Sequence, residues 1–164
     1  MTQELVKELF EYREDGHLYW KVKKSRKTNV GQIAGGFSTD GYRYIRVDGK
    51  LYAEHRLIWL YHNCSFPKNE IDHINLIKHD NRIENLRDAT HTDNMKNQYK
   101  VKKITTSIFK GVHLDKRNQK WISQITLNKK AKHLGCFFVE SAAAQAYNEA
   151  AIKHFGEFAL TNKI

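Results

Sequence analysis

The sequence predicts an α+β fold in two modules, and three observations support this prediction. Aromatic and β-branched runs separated by turn signals indicate short strands, and apolar residues at helical spacing indicate helices between and after them. Residues 96–107, KNQYKVKKITTS, are polar and basic and lack apolar periodicity, which is typical of a linker. The chain has 164 residues and 40% hydrophobic content, which is enough for two small modules, each with a modest core. We expect them at residues 1–95 and 108–164.

The first module is predicted to begin with a helix followed by strands. Apolar residues at helical spacing in residues 2–12 indicate a short amphipathic helix that docks on the elements after it. Asp48-Gly49 is a strong hairpin signal between two strand-like runs. The strands are expected at residues 18–20, 42–47 and 51–53, and a short helix is expected at residues 55–62, closed by Pro67.

Residues 70–99 are predicted to form a strand, a long polar loop, a second strand and a helix. Ile71 and Ile74 mark the first strand, and Asn85-Leu86-Arg87 starts the second. Thr90 followed three residues later by Asp93 is a capping-box signature for the start of a helix. These residues form the predicted core of the first module.

The second module is predicted to be a three-stranded antiparallel sheet covered by one helix. The strands are expected at residues 109–114, 121–127 and 133–139, and the alanine-rich helix at residues 141–155. Between Lys96 and His133 the sequence has eleven Lys or Arg residues and a single acid, Asp115. The basic charge is therefore concentrated on the linker and the sheet.

The overall charge indicates a polyanionic partner. The formal net charge is +10, and Lys and Arg gain affinity for nucleic acid by displacing counterions from phosphates. Nucleic acid is the leading candidate, with acidic lipid as the alternative. We expect double-stranded DNA, with RNA as an alternative because charge does not distinguish the two polymers.

The sequence also predicts several absences. No apolar run approaches the length of a membrane span, and the first residues lack the apolar stretch of a secretory signal, so we expect a soluble intracellular protein. Cys64 and Cys136 lie far apart without C-x-x-C pairs, which argues against a disulfide framework and a structural zinc site. Both cysteines are expected to be buried small hydrophobes. No small-molecule cofactor is expected.

The segment with Asp72-His73 and Asn94 contains the residue types that phosphodiester hydrolysis requires. A base must take a proton from water, and a cation must stabilise charge on the phosphoryl and leaving oxygens. Imidazole can be a neutral base at cellular pH, and Asp or Asn oxygens suit a hard cation. Adjacent side chains of a regular strand point to opposite faces, so Asp72 and His73 are expected at a strand end.

This segment resembles the HNH homing endonucleases of phages through D-H-I-N at 72–75, N-R-I-E-N-L-R at 81–87 and T-H-T-D-N at 90–94. The resemblance implies a ββα-metal fold in which His73 is the general base and Asn85 orients the histidine loop. It implies that Asp72 and Asn94 hold one divalent metal ion, Mg²⁺ with Mn²⁺ as an alternative. His91 is an alternative ligand. If the chain is phage-encoded, its location is the host cytoplasm.

Three further residues of the first module are candidates for phosphate contact. His55, in the run Glu54-His55-Arg56, matches a histidine usual upstream of the core in similar phage proteins. A packing or phosphate-contact role is favoured for it over chemistry, because no metal-ligand spacing connects it to Asp72. The candidates are His55, Arg56 and Arg87.

The C-terminal third resembles the AP2 DNA-binding domain, which is also found attached to phage HNH nucleases. The matching residues are F-K-G-V at 109–112, K-W at 120–121, L-G-C-F at 134–137, residues 142–147, Gly156 and Asn162. The resemblance implies that the sheet enters the major groove, with Trp121 in the core under the helix. The expected DNA-binding residues are Lys110, His113, Arg117, Lys120, Gln124, Thr126, Lys132 and His133.

Together these patterns predict a metal-dependent endonuclease that hydrolyses double-stranded DNA, with a C-terminal module for targeting. The alternative from another class is a non-catalytic DNA-binding regulator on an inert HNH fold. The residues leave open whether one or both strands are cut, and a monomer is favoured.

Overall fold

The computed structural model describes residues 1–26, 28–98 and 106–164. They form two compact units, Met1–His91 and Thr92–Ile164, and each is described by itself. Residues 99–105 of the predicted linker lie outside the described residues. The predicted module limits, at residues 95 and 108, stay predictions.

The described residues of the first unit form short helices and three small antiparallel sheets. The Asp48-Gly49 hairpin is present as predicted, with Val47 paired to Lys50 across the turn. The elements are α1 (Gln3–Leu9), β1 (Phe10–Arg13), β2 (His17–Trp20), β3 (Gly36–Phe37), β4 (Arg43–Val47), β5 (Lys50–Ala53), α2 (Glu54–Asn63), β6 (Glu70–His73), a 3₁₀ turn (Ile83–Asn85) and β7 (Leu86–Ala89). The sheets are β1-β2, β3-β4-β5 and β6-β7.

Helix α1 is shorter than predicted because Phe10 belongs to a strand. Thr2 caps its start by accepting a hydrogen bond from the Leu5 amide. Phe10 then adopts an extended conformation and pairs with Trp20 of β2, with 4.6 Å between the ring centroids. This contact buries both rings, so packing across the hairpin outweighs the helical periodicity that includes Phe10.

Helix α2 packs against the strands of the first unit and forms the centre of its core. Leu57, Ile58 and Leu60 are buried, as their spacing predicted. The helix ends at a left-handed residue, Cys64, rather than at Pro67. The other core side chains of this unit include Val6, Phe10, Leu18, Ile45, Val47, Ile71 and Leu86.

The predicted strand–loop–strand–helix pattern is present at residues 70–96, but β6 ends before Ile74, and Asn85 belongs to the 3₁₀ turn that precedes β7. Strands β6 and β7 pair antiparallel, with Asp72 opposite Arg87 and His73 opposite Leu86. Helix α3 (His91–Lys96) follows β7 almost directly, and its first residue falls in the first unit while the others fall in the second. The two strands and the helix are therefore consecutive in a ββα order.

Where the structure describes the second unit, it has one three-stranded sheet and one long helix. Its strands are β8 (Val112–Asp115), β9 (Lys120–Leu127) and β10 (Lys130–Phe137), in the antiparallel order β10-β9-β8. Helix α4 (Glu140–Phe155) packs on all three strands, and a 3₁₀ turn (Gly156–Phe158) follows it. Trp121 is partly buried against the cluster of Val112, Ala143 and Ala144, in agreement with its expected place under the helix.

Two strands of this sheet have different bounds from those predicted, and turn residues explain both differences. Strand β8 starts late because Gly111 has φ of +75° and approaches the Tyr147 ring so closely that a Cβ would collide with it. Strand β10 starts early, at Lys130, because Asn128 and Lys129 both have positive φ, as in the tight turns that join hairpin strands directly.

The expectation that both cysteines are buried is wrong. Cys64 and Cys136 are exposed free thiols. Cys64 is exposed because it follows the exposed last residues of α2, His62 and Asn63. Cys136 pairs with Ile122 on the face of the sheet that helix α4 does not cover, which leaves its side chain exposed. Among the described residues, no helix is long and apolar enough to cross a membrane.

Candidate functional site

Asp72 and His73 lie together at the end of β6, where the sequence argument requires them. His73 is the last residue of the strand, and both side chains are buried, with 3% and 4% of their surface exposed. Alternation places adjacent side chains on opposite faces of a strand, and at this end of β6 both faces are buried. The acid and the imidazole are therefore both protected from solvent at the end of β6.

The His73 ring is held by a hydrogen bond to Asn81 in the loop between β6 and β7. The Nε2 atom of His73 lies 3.0 Å from the Oδ1 atom of Asn81, and both groups are buried. Burial lowers the pKa of His73 below its ordinary value, and the contacts with Asn81 and Asp72 offset part of that effect. The neutral imidazole, which can accept a proton, therefore prevails at neutral pH.

Asp72 is paired with Arg87 across the β6-β7 hairpin. The Nε and Nη2 atoms of Arg87 donate to Oδ2 of Asp72 at 2.8 and 2.6 Å. Arg87, a candidate for phosphate contact, thus contacts the carboxylate of the predicted metal ligand. Because Asp72 is almost fully buried, this pairing compensates its desolvation.

Asn85 contacts the start and the end of the loop that follows His73. Its Oδ1 accepts from the amide of Asn75 at 3.0 Å, and its Nδ2 donates to the Asp80 carbonyl at 2.7 Å. Asp80 is itself paired with Arg82, whose hydrogen bond lowers the pKa of Asp80 to about 2. The role expected for Asn85, orienting the histidine loop, stays a prediction with these contacts in its favour.

Sequence reasoning missed the buried centre of this site, which is Glu54 at the start of α2. Its side chain is fully buried and contacts groups from β2, β4 and the β6-β7 loop. A signal was present, because Glu54 lies three and four residues before Leu57 and Ile58 and therefore shares their inward face. Asn81 lies in the motif at 81–87 but was given no role there, and it is the second buried polar group that was missed.

His55 and Tyr42 pack around the His73 ring. The ring centroids of His55 and His73 are 5.3 Å apart, and that of Tyr42 lies 5.2 Å from the first and 5.9 Å from the second. Burial, with His73 nearby, lowers the pKa of His55 to about 3. His55 Nδ1 is buried without a hydrogen-bond partner among the described residues. These contacts favour packing over phosphate contact for His55.

The remaining candidates of the nuclease segment lie at its edge. Arg56 stacks over Phe66, and exposed His91 has its Nδ1 atom 3.0 Å from Oε1 of Glu70. Asn94 lies on α3, in the part of that helix that belongs to the second unit. Within residues 1–26, 28–98 and 106–164, no group of three or more His, Cys, Asp or Glu side chains could hold a metal ion.

Most of the predicted DNA-binding residues of the second unit share the uncovered face of the sheet. His113 pairs with Ile122 and His133 with Gln124, and both pairs alternate with Ser123 and Ile125, which are buried. Strand alternation adds Lys120 and Thr126 to this face, and Arg117 is exposed in the β8-β9 turn.

Two lysines are placed differently from the prediction. Lys110 precedes β8, and its Nζ donates to the carbonyls of Lys96 and Gln98 at 2.7 and 2.8 Å, so its ammonium is directed at backbone. Burial lowers the pKa of Lys110. Lys132 pairs with buried Ile125, which places it on the face of the sheet that α4 covers. Its side chain is nevertheless exposed.

Strands β6 and β7 and helix α3 follow one another in the order ββα, and an acid and a base lie at the end of β6. These features agree with the comparison to a family of known proteins. Residues 52–96 match the family model described as HNH endonuclease, and this match supports a nuclease acting on DNA. The matched range contains Asp72, His73, Asn85 and Asn94 as well as Glu54. No curated protein matches the chain.

Proposed function

We propose that this chain is a divalent-metal-dependent endonuclease that hydrolyses phosphodiester bonds of double-stranded DNA. The observation that carries the proposal is the buried Asp72-His73 pair at the end of β6, within the range that matches HNH endonucleases. The +10 net charge supports a nucleic-acid substrate. On the resemblance, the enzyme is of the phage homing type.

His73 is the general base in this proposal. A neutral imidazole has one N–H, and because Nε2 of His73 lies against the amide oxygen of Asn81, that N–H is assigned to Nε2. The lone pair is then on Nδ1, which takes a proton from the attacking water. The lowered pKa of His73 keeps this atom unprotonated at neutral pH.

Asp72 and Asn94 are the proposed ligands of one divalent cation, Mg²⁺ or Mn²⁺. Their oxygens suit a hard cation, and Mg²⁺ commonly takes one or two carboxylates with water and substrate phosphate in its remaining positions. This fits the described residues, which hold no cluster of three acidic, His or Cys ligands. When bound, the cation would stabilise negative charge on the phosphoryl and leaving oxygens. For Asn94 the assignment rests on the sequence resemblance.

The second unit is proposed to be an AP2-like targeting module whose uncovered sheet face contacts DNA. That face has side chains able to donate hydrogen bonds, including His113, Lys120 and Gln124, and Arg117 extends it at the turn. Lys110 and Lys132 are left out of the proposed contact set because of their placement.

The decisive experiment is cleavage of supercoiled plasmid in Mg²⁺, repeated with EDTA, for the wild type and His73→Ala. Losing the general base should reduce the cleavage rate about 10²- to 10⁴-fold while DNA affinity in a gel shift stays unchanged. His62→Ala is the matched control, since His62 is an exposed histidine of the same unit.

Two outcomes would contradict the proposal in different ways. Wild-type cleavage by His73→Ala would remove His73 from the mechanism. A wild-type protein that binds DNA but cuts it with neither Mg²⁺ nor Mn²⁺ would establish the alternative, a DNA-binding regulator on an inert fold.

A further inference from the structure

A buried chain of hydrogen bonds connects His73 to an acid on another element. His73 Nε2 lies 3.0 Å from Asn81 Oδ1, and Asn81 Nδ2 lies 2.9 Å from Oε2 of Glu54. Asn81 is 1% exposed and Glu54 is fully buried. The proposed base is thus joined through one side-chain amide to an acidic side chain with no exposed surface.

Glu54 is surrounded by groups that donate hydrogen bonds or carry positive charge. Its Oε1 accepts from the amide of Leu18 at 3.2 Å, and Nε of Arg43 lies 3.2 Å from its Oε2. His17 Nδ1 lies at the same distance from Oε2. A backbone amide and a guanidinium are donors only, so Glu54 faces them as an acceptor of hydrogen bonds. Its position and its hydrogen-bonding role are therefore both defined.

The carboxylate selects one orientation of the Asn81 amide. An asparagine can present either its oxygen or its NH₂ group to a given neighbour, and the two orientations have nearly the same shape. Facing Glu54, only the NH₂ group forms a hydrogen bond, because two oxygens would leave two buried acceptors opposed. The amide oxygen of Asn81 is thereby turned toward His73.

We propose that Glu54 and Asn81 are positioning residues that select the tautomer of the catalytic His73. Because Asn81 presents an acceptor, His73 must carry its proton on Nε2, and Nδ1 keeps the lone pair that accepts a proton from water. This inference rests on the proposed function, in which His73 acts as the general base. Neither Glu54 nor Asn81 contacts the reacting atoms.

The first test replaces the acceptor-only carboxylate by an amide of the same shape. A glutamine can donate or accept, so in Glu54→Gln both orientations of the Asn81 amide become satisfied, and the NH₂ group can face His73. His73 then populates the tautomer with its proton on Nδ1. Glu84→Gln is the matched control, because Glu84 is an exposed acid of the same unit.

The readout is long-range ¹H–¹⁵N correlation NMR of the imidazoles in the full-length protein at mildly alkaline pH, with His73 assigned by its absence in His73→Gln. We expect a protonated Nε2 and an unprotonated Nδ1 in the wild type and in Glu84→Gln. In Glu54→Gln we expect signals of the other tautomer and a fall in kcat of at least about tenfold with KM unchanged.

The second test exchanges the donor and the acceptor between the two positions. In the double variant Glu54→Gln with Asn81→Asp, the new amide donates to the new carboxylate, which again offers only acceptors to His73. We expect the wild-type tautomer to return. A purely structural role would predict that the second substitution adds damage to the first. Asn81→Ala, which removes the amide oxygen that faces Nε2, should reduce the protection of the Nε2 proton from solvent exchange, and it serves if Glu54→Gln does not fold.

The proposal is overturned if Glu54→Gln folds and keeps the wild-type tautomer, or if Asn81→Ala keeps a protected Nε2 proton. Because the tautomer is observed without DNA, this failure is distinct from failure of the proposed function. A wild type that cuts no DNA but shows the predicted tautomers would contradict the endonuclease and leave the positioning contacts established.

Discussion

At the scale of the residue, the two proposed metal ligands should differ in how strongly their substitution affects the Mg²⁺ requirement. Asp72→Ala should raise the Mg²⁺ concentration needed for cleavage or abolish it, because the substitution removes an anionic oxygen ligand. Asn94→Ala should do the same to a smaller extent, since an amide oxygen is a neutral ligand. Cleavage rates over an Mg²⁺ titration measure both effects, and chelation alone should leave the protein folded.

His91→Ala is the control for this assignment. His91 is exposed and contacts Glu70, so its loss should leave the Mg²⁺ dependence unchanged. If His91→Ala raises the Mg²⁺ requirement while Asn94→Ala is silent, the ligand assignment moves from Asn94 to His91.

The lowered pKa of His55 predicts that the stability of the first unit depends on pH. Burial lowers the pKa of His55 to about 3 in the folded protein, so the unfolded chain binds its proton more readily. The folded state is therefore stabilised at neutral pH and loses that stability as pH falls below the ordinary histidine value. Between pH 7 and pH 5 the loss attributable to His55 should be about 2 kcal/mol.

Urea unfolding of the wild type and of His55→Asn at both pH values measures this contribution. The asparagine cannot titrate, so the variant should lose about 2 kcal/mol less than the wild type on acidification. An equal loss in the two proteins would show that protonation of His55 is not coupled to unfolding, despite its packing against His73 and Tyr42.

At the scale of the element, one glycine determines where strand β8 can begin. Gly111 combines positive φ with a close approach to the Tyr147 ring of α4, so any side chain there would separate the helix from the sheet. Gly111→Ala should destabilise the second unit by at least about 2 kcal/mol, from backbone strain and lost packing. Chemical unfolding followed by tryptophan fluorescence measures the change.

Gly156→Ala is the matched control within the same unit. Gly156 also has positive φ, but a Cβ added there would meet no atom within 4 Å. This variant should be destabilised only by backbone strain, about 1 kcal/mol. Equal losses in the two variants would exclude the collision with Tyr147 as the cause.

At the scale of the whole molecule, the contacts of Lys110 predict which fragment of the chain is a stable form of the second unit. Lys110 donates to the carbonyls of Lys96 and Gln98, and Lys96 also lies over the Phe155 ring, all within the second unit. A fragment of residues 92–164 keeps these contacts, whereas a fragment of residues 104–164 loses them. We expect the longer fragment to be the more stable of the two.

The fragment of residues 92–164 is also predicted to bind DNA without cutting it. It has the basic sheet and turn, but neither Asp72 nor His73. Its affinity should weaken steeply with salt, with the logarithm of the binding constant falling by about 0.9 per phosphate contact per decade of salt. Gel shifts over a salt series measure the slope, and Arg117→Gln should reduce it.

A complementary fragment ending near residue 103 should retain Mg²⁺-dependent nicking but lose most affinity and site preference. If it cut the same site with undiminished affinity, targeting would not belong to the second unit. Recognition would then have to lie in the strands of the first unit around residues 42–46.

The sequence by itself determined the features that depend on neighbours along the chain. Hydrophobic spacing predicted α2 and α4, and Asp48-Gly49 predicted its hairpin, because periodicity and turn residues act over a few positions. The adjacent Asp72 and His73 and the motif around them were recognisable for the same reason. The charge of the chain, a sum over residues, indicated its class of partner.

Only the tertiary structure decided which polar groups are buried and what they contact. Glu54 is far from His73 in sequence, and the two residues are connected by two hydrogen bonds with Asn81 between them. No local sequence pattern contains all three residues. The exposure of Cys136 likewise depends on which face of the sheet α4 covers. The direction of the Lys110 side chain depends on backbone carbonyls that are distant in sequence. Burial and hydrogen-bond partners are properties of the packed chain, because they arise from residues that folding brings together.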